Sequence, residues 1–249
     1  APRPLRPLLL DRSEGPGVAI LCRDIGLLYL QAPHTGSTSL GTLFREEFGG
    51  VKLLEDRVRD EQGRILLRQK HQSLPQLLEA GLITPSERAE LLVVVGVRNP
   101  YDLVLTEYAR NREAGTISAS QRLLRRLGFS DDFSAPDFER FVVRRYTPNA
   151  LYRALGRKPM VPVDWTEGAD HVIRFEAMQE GLDSALRKVG VSEPHPLPHR
   201  NPTQSRRDRD YRTIYTPRAR EIVTRVYARE LRQHGYDFDP EAKGEQRGE

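Results

Sequence analysis

The apolar residues of this chain come in two textures, short unbroken runs and stripes at helical intervals, and the two alternate. "GLLYLQAP" is an unbroken run that stops at a proline, which predicts a short buried strand. After it Leu40, Leu43, Phe44 and Phe48 recur three and four residues apart, so a helix follows. "LLVVVGV" is a second unbroken run, rich in β-branched residues, and predicts a strand covered on both faces. Asn99 then supplies a helix cap and Pro100 a first-turn proline. Tyr101, Val104, Leu105 and Tyr108 lay one apolar stripe along the helix that these two open.

Between these units, "RILLRQKHQSLPQLLEAGLITPSERAE" reads as a strand-like piece, a loop at His71 and a short helix near Pro75. "SASQRLLRRLGFSDDFSAPDFERFVVRR" is helical with an acidic break at "SDDFSAPD", and "HVIRFEAMQEGLDSALRKVGV" is a strand followed by an amphipathic helix. "EPHPLPHRNPTQSRRDRDYR" is too rich in proline and arginine for regular structure and reads as a long loop. "TPRAREIVTRVYARELRQHG" predicts one last helix, with Thr216 as cap, Pro217 in its first turn and Gly235 as its stop. Alternating strands and helices predict an α/β fold, a central parallel sheet flanked by helices. The expected organisation is a single domain over 18–239, a flexible arm over 1–17 and a disordered tail over 240–249. Ligands in such sheets bind at the carboxyl ends of the strands, where both motifs described below fall.

Composition narrows the partners. Lys and Arg exceed Asp and Glu by 39 to 35, a net charge of +4 that favours an anion: nucleic acid, a nucleotide or an acidic glycan. Cys22 is the single cysteine, which excludes an internal disulfide and a thiol-rich metal site and fits a reducing, cytoplasmic compartment. No apolar run is long enough to cross a bilayer, "LLL" near the start is too short for a signal-peptide core, and no residue cluster has metal-ligand spacing. A membrane partner and a bound metal are therefore not expected.

"QAPHTGSTSL" has the placement of a phosphate loop, between a strand and a helix. It lacks the Walker A residues, with Gln31 where the first glycine belongs and Ser37 where the lysine belongs. Gly36 lets the backbone approach a ligand, and Thr35, Ser37, Thr38 and Ser39 add hydroxyls to the helix N-terminal amides, a cradle for a tetrahedral dianion. The same residues also suit a hydroxyl-rich cap with no ligand. In the second unit Arg98 stands at the strand's end and Thr106 about two turns into the helix, a second phosphate site. The alternative is a corner in which Arg98 pairs with Asp102 or Glu107. Two anion sites on one sheet point to a ligand with two phosphates at different ends.

"APHTGSTSL" resembles the 5′-phosphosulfate loop of the sulfotransferases, P-K-T-G-[ST]-T-S, and "VRNPYDLVLTEY" resembles their 3′-phosphate motif, R-N-P-Y-D-R-x-x-S-x-Y. The likeness runs from about Leu27 to Phe238 and is greatest to the carbohydrate branch, which includes heparan sulfate 2-O-sulfotransferase. It implies a P-loop-like sulfotransferase fold and an enzyme whose donor is 3′-phosphoadenosine 5′-phosphosulfate (PAPS), released as the 3′,5′-bisphosphate (PAP). Thr35, Gly36, Ser37, Thr38 and Ser39 would then hold the phosphosulfate. Arg98 and Thr106 would hold the 3′-phosphate, with Thr106 replacing the family serine and Leu103 replacing the common arginine. Arg206, Arg207 and Tyr211 are the candidates for closing over the nucleotide.

His34 stands where the family has lysine, so the resemblance gives it the leaving-group role. Imidazole is mostly neutral at pH 7, and a nearby phosphosulfate favours its cation. His71 resembles the branch's catalytic base and would take the acceptor's proton during in-line attack. Lys70 is a possible assistant, and His171, His195, His199 and His234 lie in less suggestive settings. The expected acceptor is a hydroxyl on a carbohydrate or a small secondary metabolite, and no nucleic acid is expected as a partner. Trp165 suits either core packing or stacking on that acceptor. Two alternatives remain, the same fold drawing on an aryl sulfate donor, or a non-catalytic binder of anionic glycan or nucleic acid.

Overall fold

The computed structural model describes residues 19–53, 58–59, 65–67, 71–113, 134–147, 150, 153, 158–198 and 210–239. Between Cys22 and Leu27 the chain has room only for a 3₁₀ turn, Arg23–Ile25, and Gly26, which lies at φ 61° in the left-handed region. So short a link joins only antiparallel neighbours, because a parallel connection needs a crossover of a dozen residues or more. Strands β1 (Ala19–Cys22) and β2 (Leu27–Leu30) accordingly form a hairpin, pairing Ala19 with Leu30 and Cys22 with Leu27. The expected parallel sheet is thus a mixed one.

Helix α1 (Ser37–Glu47) follows β2, then β3 (Val51–Lys52) and a two-stranded ribbon of β4 (Val58–Arg59) and β5 (Ile65–Leu67). Next come α2 (Leu74–Glu79), α3 (Pro85–Glu90) and β6 (Leu92–Val97). After a helical excursion the chain returns as β7 (His171–Arg174). The five-stranded sheet has the order β3-β1-β2-β6-β7. Its β2, β6 and β7 are parallel neighbours, as the alternation predicted, whereas β1 opposes both β2 and β3.

Alternate residues of each strand feed opposite faces. Leu28, Leu30, Val93 and Val95 join Leu74, Leu77 and Ile83 on one side. Leu27, Tyr29 and Val94 join Leu40, Leu43 and Phe44 of α1 on the other. Leu182, Ala185 and Leu186, from the helix after β7, complete that second face. Burial on both faces is why "LLYL" and "LLVVVGV" carry no polar alternation.

The chain divides into two compact units, Ala1–Arg98 with Asp164–Asn201, and Asn99–Val163 with Pro202–Glu249. The first contains the sheet and its helices. The described part of the second is helical: α4 (Pro100–Glu113), α5 (Ala135–Tyr146), and, after α6 (Met178–Lys188) of the first unit, α7 (Pro217–Val226) and α8 (Ala228–His234). Tyr101, Val104, Leu105 and Tyr108 are buried together with Phe138, Val142, Ile222 and Val223, so the predicted stripe faces a core. Thr216 accepts from the Ala219 N–H and Gly235 ends the last helix at φ 62°, both as expected. The helix they bracket is broken at Tyr227, however, whose φ of −102° and ψ of 21° leave the helical region. Its ring packs against Tyr146 with the two hydroxyls 3.1 Å apart, a tertiary contact that overrides local periodicity. The expected arm over 1–17, the helix expected within 114–133, residues 199–209 of the expected long loop and the expected tail over 240–249 lie outside the described residues.

Candidate anion site at the carboxyl ends of the sheet

Three strand ends build the site within the first unit. From β2 the chain passes through Gln31 and Ala32 into a tight loop that opens α1. Thr35 is only 3% exposed and its hydroxyl donates to the Ala32 carbonyl at 2.9 Å. Its side chain lies over Gly96 of β6, where an added Cβ would come within 2.8 Å of Thr35 Oγ1. That contact accounts for a glycine inside an otherwise β-branched strand. Gly36 is constrained twice: its φ is 76°, and a Cβ there would stand 2.6 Å from Met178 Sδ.

Arg98, the residue after β6, is 6% exposed. It donates from Nη1 to the His34 main-chain oxygen at 2.9 Å. Its guanidinium also lies 3.8 Å from the ring centroid of Phe175, the residue after β7. So β2 contributes the loop, β6 the cation that holds it, and β7 the aromatic platform for that cation. The guanidinium adds positive potential beside a helix N-terminus that is already the positive end of a dipole.

Gly36 is the α1 cap residue and, lacking a side chain, offers no acceptor of its own to the first-turn amides, while Ser39 and Leu40 bond back to the Gly36 carbonyl. Thr84, Ser134 and Thr216 cap α3, α5 and α7, and Asn99 Oδ1 accepts from Tyr101 in α4, whereas α6 and α8, like α1, have no side-chain cap. Ser37 is half-buried, Thr38 exposed and Ser39 buried, so the hydroxyls run from solvent inward. An uncapped helix start beside a buried guanidinium suits a tetrahedral anion.

His71 is brought to the same edge. Its Nδ1 lies 2.7 Å from the Gln31 main-chain oxygen. A carbonyl only accepts, so Nδ1 carries the hydrogen and the basic lone pair sits on Nε2. The Trp165 ring meets His71 at 6.3 Å between centroids. His34 and His71 share one backbone property: with φ of 63° and 60°, they are the two non-glycine residues in the left-handed region among those described. Such conformations are uncommon for non-glycine residues and gather at functional sites.

Gln31 was not singled out as a functional residue in the sequence, yet it joins these parts. Its Nε2 donates to the Ser37 carbonyl at 3.1 Å, clasping the loop across its mouth. Gly41 makes room, since a Cβ there would lie 2.4 Å from that nitrogen. The glutamine in place of the first Walker glycine was the available signal.

The other sequence candidates are placed differently. Thr106 belongs to α4 of the second unit, is 2% exposed and donates to the Asp102 carbonyl at 2.9 Å. Tyr211, in a 3₁₀ turn of that unit, donates to the Phe238 carbonyl at 2.6 Å and accepts from Asn99. Its ring stacks on Tyr101, and burial pushes its hydroxyl up to about 12. Arg206, Arg207, His199 and Lys70 lie outside the described residues. His171 Nε2 bonds the Gly181 carbonyl at 3.0 Å and burial holds its pKa below the ordinary histidine value. His195 pairs with Glu47 and packs on Phe48. Among the described residues no group of three His, Cys, Asp or Glu side chains is placed to hold a metal ion, and no helix is long and apolar enough to cross a membrane.

Compared with protein-family models, with curated proteins and with solved structures, the chain matches none.

Proposed function

We propose that the protein is a sulfotransferase of P-loop-like fold, working in the cytoplasm, that moves a sulfuryl group from PAPS to a hydroxyl of a carbohydrate or small-molecule acceptor. The observation that carries this reading is the uncapped start of α1, with Arg98 and His34 beside it and His71 at the same sheet edge. The loop amides and the hydroxyls of Ser37 and Thr38 receive the 5′-phosphosulfate. The acceptor oxygen attacks sulfur in line with the departing phosphate oxygen, and its proton passes to Nε2 of His71. The S–O bond to the phosphate breaks and PAP leaves, with the His34 imidazole donating to the leaving oxygen. Preorganised donors of this kind are worth most where charge develops. Two pieces of the sequence add support, the loop "APHTGSTSL" and the motif "VRNPYDLVLTEY".

Thermal unfolding with PAP, AMP, ADP and ATP at matched concentrations tests the reading. Ligand at about a hundred times its dissociation constant adds about 2.7 kcal/mol of stability. Stabilisation by PAP above the other nucleotides is the expected result. Equal shifts from all four would remove PAPS as donor.

A further inference from the structure

We infer that Gln31 is a positioning residue for the bound anion, acting through Ser37, an inference that rests on the reading of this loop as the phosphosulfate cradle. Stability alone does not explain a glutamine here. The residue is 7% exposed, and its Oε1 is buried and accepts from no described group. A buried acceptor without a donor weakens a fold. A second unfavourable choice stands beside it. Gly41 lies inside α1, where only proline is a poorer helix former than glycine. A Cβ there would meet Gln31 Nε2 at 2.4 Å and Ile20 Cδ1 at 3.0 Å, so the helix gives up propensity to admit the amide. Functional sites are where such breaches of local rules are retained.

What the two choices secure is one hydrogen bond, from Gln31 Nε2 to the Ser37 carbonyl at 3.1 Å. Ser37 is the first residue of α1, and in a helix its carbonyl also takes the N–H four residues on. A carbonyl oxygen has two lone pairs and accommodates both donors. The Ser37 carbonyl shares its peptide unit with the Thr38 N–H. Ser39 and Leu40 direct their N–H groups to the Gly36 carbonyl, whereas those of Ser37 and Thr38 precede any acceptor within the helix. Drawing electron density onto the Ser37 oxygen makes the Thr38 N–H a stronger donor, because hydrogen bonds in series polarise one another. The same bond holds the first turn in place before an anion arrives, which is the preorganisation that makes such donors effective. Gln31 thus acts on the anion through one peptide unit without touching it.

The test uses the full chain with two probes, PAP and inorganic sulfate, and compares wild type, Gln31→Leu, Gly41→Ala and the double variant. Leucine fills a similar volume without either amide group. Gln31→Leu should therefore melt at or above the wild-type temperature, because the unpartnered acceptor is removed along with the bond. In the ligand-free protein the Thr38 amide ¹⁵N resonance should move upfield. The dissociation constants of PAP, by calorimetry, and of sulfate, from the Thr38 resonance, should both rise about 3- to 10-fold, the size of one hydrogen bond. Gly41→Ala displaces the amide and should weaken both ligands in the wild-type background but add nothing to Gln31→Leu, the mark of a shared interaction. Wild-type affinities in Gln31→Leu, an unmoved Thr38 resonance, or a melting temperature clearly below wild type would each overturn the inference. So would a Thr38 amide that does not respond to sulfate in wild type. Sulfate binding that follows these changes while PAP binds no better than ADP would remove the sulfotransferase reading and leave the role of Gln31 standing.

Discussion

Replacing His34 separates stability from function. An L-residue held at φ 63° stores about 1–2 kcal/mol of strain. Glycine removes that strain but adds freedom to the unfolded chain, about 0.5–1 kcal/mol. The bond from Arg98 survives any substitution here, because His34 offers its main-chain oxygen. His34→Gly and His34→Ala lose the same ring and keep the same main-chain bond, so the difference between them isolates the backbone strain. His34→Ala keeps the strained backbone and loses the ring, so it should be less stable than His34→Gly by about 1 kcal/mol. Urea unfolding gives the ordering from midpoints at constant slope. Both variants should lose turnover about 10²- to 10⁴-fold, the usual contribution of a positioned proton donor. An alanine variant as stable as the glycine variant would refute the strain argument. Full turnover in both would refute the leaving-group role.

Gly36→Ala combines left-handed strain with displacement of Met178, and should cost about 2–4 kcal/mol in urea unfolding; adding Met178→Ala should return the steric share and leave the strain. Arg98→Lys keeps the charge but not the flat contact with Phe175, and calorimetric titration should show PAP binding weakened about 10- to 100-fold. His71→Ala should lower turnover about 10²- to 10⁴-fold with PAP affinity within about twofold of wild type, and an equal loss of affinity would make His71 a donor ligand instead. The lowered pKa of His171 means the folded state binds fewer protons than the unfolded chain, so its contribution is present above the unfolded value of 6.5 and is lost as pH falls below it. His171→Gln preserves a donor for the Gly181 carbonyl, so urea midpoints of the variant should fall less than those of wild type between neutral pH and about pH 5.

Much of the first unit could be read from the chain because β2 and β6 are buried on both faces and leave unbroken apolar runs. The loop, the helix after it and the cap at Asn99 follow from residue types at fixed offsets. Helix α3 was not among the predicted elements, although Thr84 and Glu87 form a capping box around Pro85. What stayed hidden depends on contacts between distant residues. Nothing local announces that Gln31 reaches the Ser37 carbonyl over Gly41, or that Tyr227 leaves the helix to meet Tyr146. The left-handed backbone at His34 and His71 is hidden for a different reason: glycine advertises positive φ, and histidine does not. The antiparallel pairing of β1 rests on the brevity of "RDIG", which leaves no room for a crossover.

The parts that press on the anion loop, Phe175 beneath Arg98 and Met178 against Gly36, come from the segment that rejoins the first unit after the second unit's 99–163. During synthesis the loop leaves the ribosome first, and its roof follows only after several seconds of further translation. A nascent chain that stops short of Asp164 holds the phosphate-loop sequence but neither the platform for Arg98 nor the sulfur that crowds Gly36. On the sulfotransferase reading proposed above, donor binding requires a chain that extends past Met178, and one arrested or clipped before Asp164 would carry the motif without competing for the nucleotide.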